Sequence, residues 1–147
     1  VCKRFKFGWV VFSFGVGDGA AGLLQRTADN GIKAHLLCTP DEGEYSGQTR
    51  FLTMPEIFSS YEVVKERVHF RIVPNDFEAI LVMTDGVSDA KFETDYNLHQ
   101  DAKWAELWDD INAHVRLQGD QSKNELLEWL NFWSTGNHDD RTIAILF

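Results

Sequence analysis

The sequence predicts an α+β fold with largely antiparallel strands. Apolar, strand-like runs dominate the first half of the chain, and two amphipathic helical stretches follow the fourth or fifth of them. A last apolar run then closes the chain, without strict β-α-β alternation. The length of 147 residues suits one domain whose core needs no disulfide support. Hydrophobic residues at 44% exclude a disordered chain, and no run reaches the ~18 apolar residues of a membrane helix.

Residues 5–16 (FKFGWVVFSFGV) are apolar at both parities, which predicts one strand buried on both faces. The turn Gly17-Asp18-Gly19 ends it. Leu23 and Leu24 then belong either to the return strand of a hairpin or to a short helix. Residues 32–38 predict a strand, residues 39–48 (TPDEGEYSGQ) a loop, and residues 50–58 a short apolar patch. Residues 68–73 (VHFRIV) and 79–83 (AILVM) predict two more strands, joined by a turn at Pro74-Asn75-Asp76. Trp104, Leu107, Trp108, Ile111 and Val115 recur at helical spacing, with Glu106, Asp109, Asp110 and Asn112 largely opposite. After a break at Gly119-Asp120, Ser122 and Glu125 have capping-box spacing ahead of Leu126, Leu127, Leu130 and Trp133. Residues 135–140 form a polar loop, and residues 142–147 (TIAILF) the last strand.

The formal charge is −9, from 14 basic and 23 acidic residues. That balance excludes nucleic acid as a partner, because its phosphates would be repelled. It leaves cationic partners, or carboxylates gathered round metal ions. Cys2 and Cys38 make no disulfide framework and predict free thiols in the reducing cytoplasm. No signal peptide is visible at Val1-Cys2-Lys3-Arg4.

Three acidic turns carry the candidate chemistry. Asp18 follows the first apolar run, Asp85 and Asp89 follow the AILVM strand, and Asp139 and Asp140 precede the last strand. Strand ends in one sheet are neighbours in space, so these acids could converge on one rigid platform. Crowded carboxylates repel one another unless a cation joins them, and an all-oxygen set suits Mg²⁺ or Mn²⁺ rather than zinc. Asp-Gly is also an ordinary turn dipeptide, and an Asp before a strand often only caps backbone N–H groups. His138 is the one histidine beside a candidate site, as a loop residue or as a proton shuttle.

Other chemistries have less support. Gly17-Asp18-Gly19-Ala20-Ala21-Gly22 matches the dinucleotide fingerprint G-x-G-x-x-G, yet its Asp would lie where a pyrophosphate needs positive dipoles. Ser88 lacks a nucleophile-elbow setting, and His35 with Cys38 has no second pair of zinc ligands.

Taken in order, Val16-Gly17-Asp18-Gly19-Ala20, Thr84-Asp85-Gly86-Val87-Ser88-Asp89 and Asp139-Asp140-Arg141-Thr142 resemble the three motifs V-G-D-S-R, S-D-G-x-x-D and D-N-x-T of the protein phosphatase 2C family. The segment EYSGQTRFLT resembles bacterial members. The resemblance implies an αββα sandwich of antiparallel sheets flanked by helices. It also implies metal-dependent hydrolysis of phosphoserine or phosphothreonine in signalling proteins. Asp85 and Asp139 would be catalytic ligands of a centre holding two Mn²⁺ or Mg²⁺ ions, and Asp18 would help hold a third. Asp89, His138 and Asp140 would stand around that centre. The substrate would be a phosphoprotein, and the protein a cytoplasmic monomer bound to neither nucleic acid nor membrane. Gly19-Ala20 replace the family's Ser-Arg, and the family's D-G-H-G segment is absent from these residues. Residues 1–147 therefore resemble the C-terminal portion of one such domain. The alternative is a catalytically inactive, phosphatase-like module that binds or scaffolds phosphoproteins.

Overall fold

A computed structural model, which describes residues 1–38, 40, 41, 49–132 and 140–147, splits the first apolar run in two. Strand β1 (Cys2–Phe5) turns at Lys6-Phe7 into β2 (Gly8–Phe14). With β5 (Val68–Val73) they form an antiparallel sheet in the order β1-β2-β5. A second antiparallel sheet has the order β4-β3-β6-β7, from β3 (Ala20–Arg26), β4 (Ile32–Cys38), β6 (Ala79–Met83) and β7 (Ile143–Leu146). The strands expected at residues 32–38, 68–73, 79–83 and 142–147 are all present. The α+β class with two antiparallel sheets is what the sequence predicted.

The two sheets pack face to face through Val11 and Val73 on one side and Ala21, Leu23, Leu37 and Ile80 on the other. Strand β2 holds the central place in its sheet, but only one of its faces is buried. Phe12 is 40% exposed on the other face, and its cross-strand partner Phe70 is 59% exposed. The expectation of burial on both faces therefore fails. Aromatic and aliphatic residues occupy both parities of the run, so the period-2 signal that separates inside from outside is missing.

The larger core lies on the opposite face of the four-stranded sheet. There α2 (Asp85–Phe92), α3 (Asp95–Leu98), α4 (Asp101–His114) and α5 (Ser122–Trp129) cover Ala20, Leu24, Ala79, Leu81 and Met83. The predicted stripe of α4 is the buried one, since Trp104, Leu107, Trp108, Ile111 and Val115 are all inside. Trp104 rests on β3 at Gly22, where a Cβ would meet the indole ring at 2.6 Å. This explains the third glycine of the G-x-G-x-x-G match. Residues 20–26 are a strand rather than the helix a dinucleotide would need, and Gly22 makes room for an indole. Leu23 and Leu24 thus lie in a strand, but one that pairs with β4 and β6 in the second sheet and is not the return strand of a hairpin with β2.

Polar contacts hold α4 in place. Asp101 accepts from the Ala34 N–H and from Lys33, both at 2.9 Å, which fixes the helix start against β4. Its carboxylate also complements the positive end of the helix. Glu78 accepts from the Arg26 guanidinium and from Trp108 Nε1 at 3.2 Å, and the Arg26 hydrogen bond holds its carboxyl below the usual range.

Two local expectations are corrected. The capping box at Ser122 does not form: Ser122 Oγ donates to Gly119 O at 2.9 Å, while Glu125 accepts from the Arg116 backbone and guanidinium, each at 2.7 Å. The buried face of α5 also differs, with Leu127 exposed and Trp129 buried, its Nε1 donating to Asp110 at 3.1 Å. Trp133 lies outside the described residues. The apolar patch at residues 50–58 contains a 3₁₀ turn (Pro55–Phe58), and α1 (Tyr61–Glu66) follows, capped by Ser60. Among the described residues no helix is long and apolar enough to cross a membrane.

Candidate metal centre

Three strand ends meet at one corner of the four-stranded sheet. The register places Ala20 at the start of β3 opposite Met83 at the end of β6, and Met83 opposite Ile143 at the start of β7. Asp18 lies two residues before the first, Asp85 two residues after the second, and Asp140 three residues before the third. The antiparallel pairing thus brings three sequence-distant acidic motifs to a single sheet edge.

Close backbone approaches hold the corner together. A Cβ at Gly19 would meet Met83 O at 2.6 Å and Thr84 Cα at 3.6 Å, so the segment carrying Asp18 runs directly against the segment entering Asp85. A Cβ at Gly86 would meet Asp140 O at 2.7 Å, so the first turn of α2 lies against the backbone of the last motif. Any residue larger than glycine would push these segments apart.

The side chains follow from their elements. Asp85 was expected in a turn and is instead the first residue of α2. There the partial positive charge of the helix N-terminus favours a carboxylate. Its Oδ1 accepts from the Gly86 N–H at 2.8 Å. Asp18 is half-buried, and its Oδ2 accepts from the Thr49 hydroxyl. Asp89 sits one helical turn beyond Asp85 and lines a cleft of about 310 Å³ with Glu93 and Asp95. Asp140 is exposed, and its carbonyl accepts from Thr84 Oγ1 at 2.8 Å. Asp139 and His138 lie outside the described residues.

The sequence reading missed two hydroxyls. Thr49 belongs to the segment that resembled bacterial members, and Thr84 immediately precedes Asp85. No local signal points to either role, because the partners Asp18 and Asp140 lie 31 and 56 residues away along the chain.

Among the described residues, no group of three or more His, Cys, Asp or Glu side chains is placed to hold a metal ion. The described donors nonetheless fit a hard cation by type. Asp18 and Asp85 are carboxylates on segments that meet at the shared corner, and Asp139 is the residue next to Asp140 in the chain.

The family model described as Protein phosphatase 2C matches residues 5–131. The chain belongs to the protein phosphatase 2C family. The match takes in the Asp18 and Asp85 motifs and both sheets apart from most of β1 and the closing strand β7. No curated protein and no solved structure matches the chain. Membership of the phosphatase 2C family supports a hydrolase acting as a protein phosphatase.

Proposed function

We propose that the full-length protein hydrolyses phosphoserine and phosphothreonine in proteins with Mn²⁺ or Mg²⁺, and that these 147 residues are the C-terminal portion of its catalytic domain. The observation that carries this reading is the meeting of the Asp18, Asp85 and Asp140 segments at one sheet corner in a protein phosphatase 2C family chain. Asp85 and Asp139 are assigned to the two-ion centre and Asp18 to a third ion. When bound, such ions supply an acidified water for attack on phosphorus and neutralise charge on the phosphate oxygens.

The chain's own residues do the positioning. The rigid end of β6 and the start of α2 orient Asp85, and Thr49 orients Asp18 through its hydroxyl. A covalent route through sulfur is disfavoured. Burial pushes the Cys2 and Cys38 thiols up, so both stay protonated and poorly nucleophilic near neutral pH.

Turnover of an aryl phosphate by the full-length protein, with and without Mn²⁺, tests the assignment. The expected result is stimulation by about a hundredfold or more, reversed by a chelator, in keeping with several kcal/mol of metal-borne stabilisation. Preference for phosphoserine and phosphothreonine peptides over phosphotyrosine is expected alongside it. A protein that binds phosphopeptides yet shows no Mn²⁺ response would instead be a phosphatase-like binding module.

A further inference from the structure

Thr84 is the residue from which α2 starts, with extended backbone at φ −77° and ψ 164°. A threonine in that place ordinarily turns its oxygen onto a free N–H of the first helical turn. Thr84 makes no such bond. Its Oγ1 donates to the Asp140 carbonyl at 2.8 Å and accepts from the Thr142 N–H at 3.0 Å. Its own backbone N–H donates to the Thr142 carbonyl at 3.0 Å. One residue therefore ties the Asp85 segment to the Asp140 segment on both sides of Arg141, and Gly86 lets the Asp140 carbonyl come in beside it.

Holding acidic segments together needs such a fastening, because their carboxylates repel. Side-chain hydrogen bonds of this kind stabilise only modestly, because both partners would otherwise bond to water. The hydroxyl of Thr84 supplies two of them, at the cost of the helix cap it leaves unmade. That exchange is the unusual feature.

We propose that Thr84 is a positioning residue for the metal centre. Its hydroxyl fixes the Asp140 backbone, in the motif that carries Asp139 in the sequence, at a set separation from Asp85. The proposal rests on the metal-centre reading above. It assigns Thr84 no contact with substrate or ion.

The full-length protein is compared as wild type, Thr84→Val and Thr84→Ser, with three readouts. These are Mn²⁺ affinity by calorimetry without substrate, hydrogen exchange at the Thr142 amide without metal, and thermal melting. Thr84→Val is expected to weaken Mn²⁺ binding about tenfold, the lower end for losing support behind a ligand, and Thr84→Ser to stay within about twofold of wild type. The Thr142 amide should lose protection in Thr84→Val alone. Melting should fall by only a few degrees in Thr84→Val, from the two hydrogen bonds lost, and less in Thr84→Ser. Should Thr84→Val fail to fold, Thr84→Ala is judged by the same criteria. Mn²⁺ binding unchanged in the variant that lacks the hydroxyl, or serine failing to rescue, overturns the proposal by itself. Wild-type protein that binds no Mn²⁺ overturns both the proposal and the metal-centre reading beneath it.

Discussion

Asp85→Asn is expected to lower the Mn²⁺-dependent turnover of the full-length protein by about three orders of magnitude, or about 4 kcal/mol of transition-state stabilisation. The substitution keeps the shape of the side chain and removes its charge. The Gly86 N–H at 2.8 Å still finds an oxygen to bond, so the start of α2 is preserved. The loss of charge at the helix N-terminus costs about 0.3–1 kcal/mol, and relief of repulsion among the acids at the corner offsets part of it. Folding should therefore survive while catalysis does not. Steady-state kinetics on an aryl phosphate, with a thermal melt of the same sample, separates the two effects. Turnover unchanged by the substitution would remove Asp85 from the centre.

Trp104→Ala should produce the largest change in stability. Its indole is fully buried, stacks against the Gly22 backbone, and lies 4.7 Å centroid to centroid from the Phe92 ring. Its Nε1 donates to the Leu98 carbonyl at 2.8 Å, which joins α3 to α4. Truncating a buried tryptophan costs about 3–5 kcal/mol, because the surroundings collapse only in part. A domain of this size holds only about 5–15 kcal/mol in all. Trp104→Phe keeps most of the apolar area and leaves Leu98 O without its donor, so it should fall between wild type and Trp104→Ala. Urea denaturation of the three proteins checks the order. A Trp104→Ala protein within about 1 kcal/mol of wild type would mean that this core is packed differently.

Elements with strong periodicity were legible in the sequence. The α4 stripe was read correctly because five large apolar residues at helical spacing admit one buried face. Strands β4, β5, β6 and β7 were legible as short apolar runs between turn residues. The first run was misread because apolar residues at both parities carry no information about which face is covered. Helix α2 was hidden by Asp85-Gly86, a dipeptide that normally marks a turn. Here tertiary packing against the Asp140 carbonyl, rather than intrinsic preference, explains the glycine. The box at Ser122 failed because Arg116, nine residues before Glu125, competed for its carboxylate. No local pattern reveals a partner that far along the chain.

The site was legible in a different way. Each acidic turn alone fits a plain structural role, and the order of the three motifs along the chain suggested a common purpose. Their meeting at one corner follows from the β3-β6-β7 pairing, which the order of motifs does not contain. The hydroxyls of Thr49 and Thr84 were invisible for a similar reason. Their partners, Asp18 and Asp140, lie 31 and 56 residues away.

Anomalous diffraction from Mn²⁺-soaked crystals of the full-length protein would locate the ions directly. Anomalous peaks are expected at the shared end of β3, β6 and β7, with Asp85 and Asp139 oxygens at about 2.0–2.2 Å from the ions, the range for small hard cations. Peaks confined to other surfaces, with the carboxylates of Asp18 and Asp85 turned away from each other at an empty corner, would contradict the metal-centre reading.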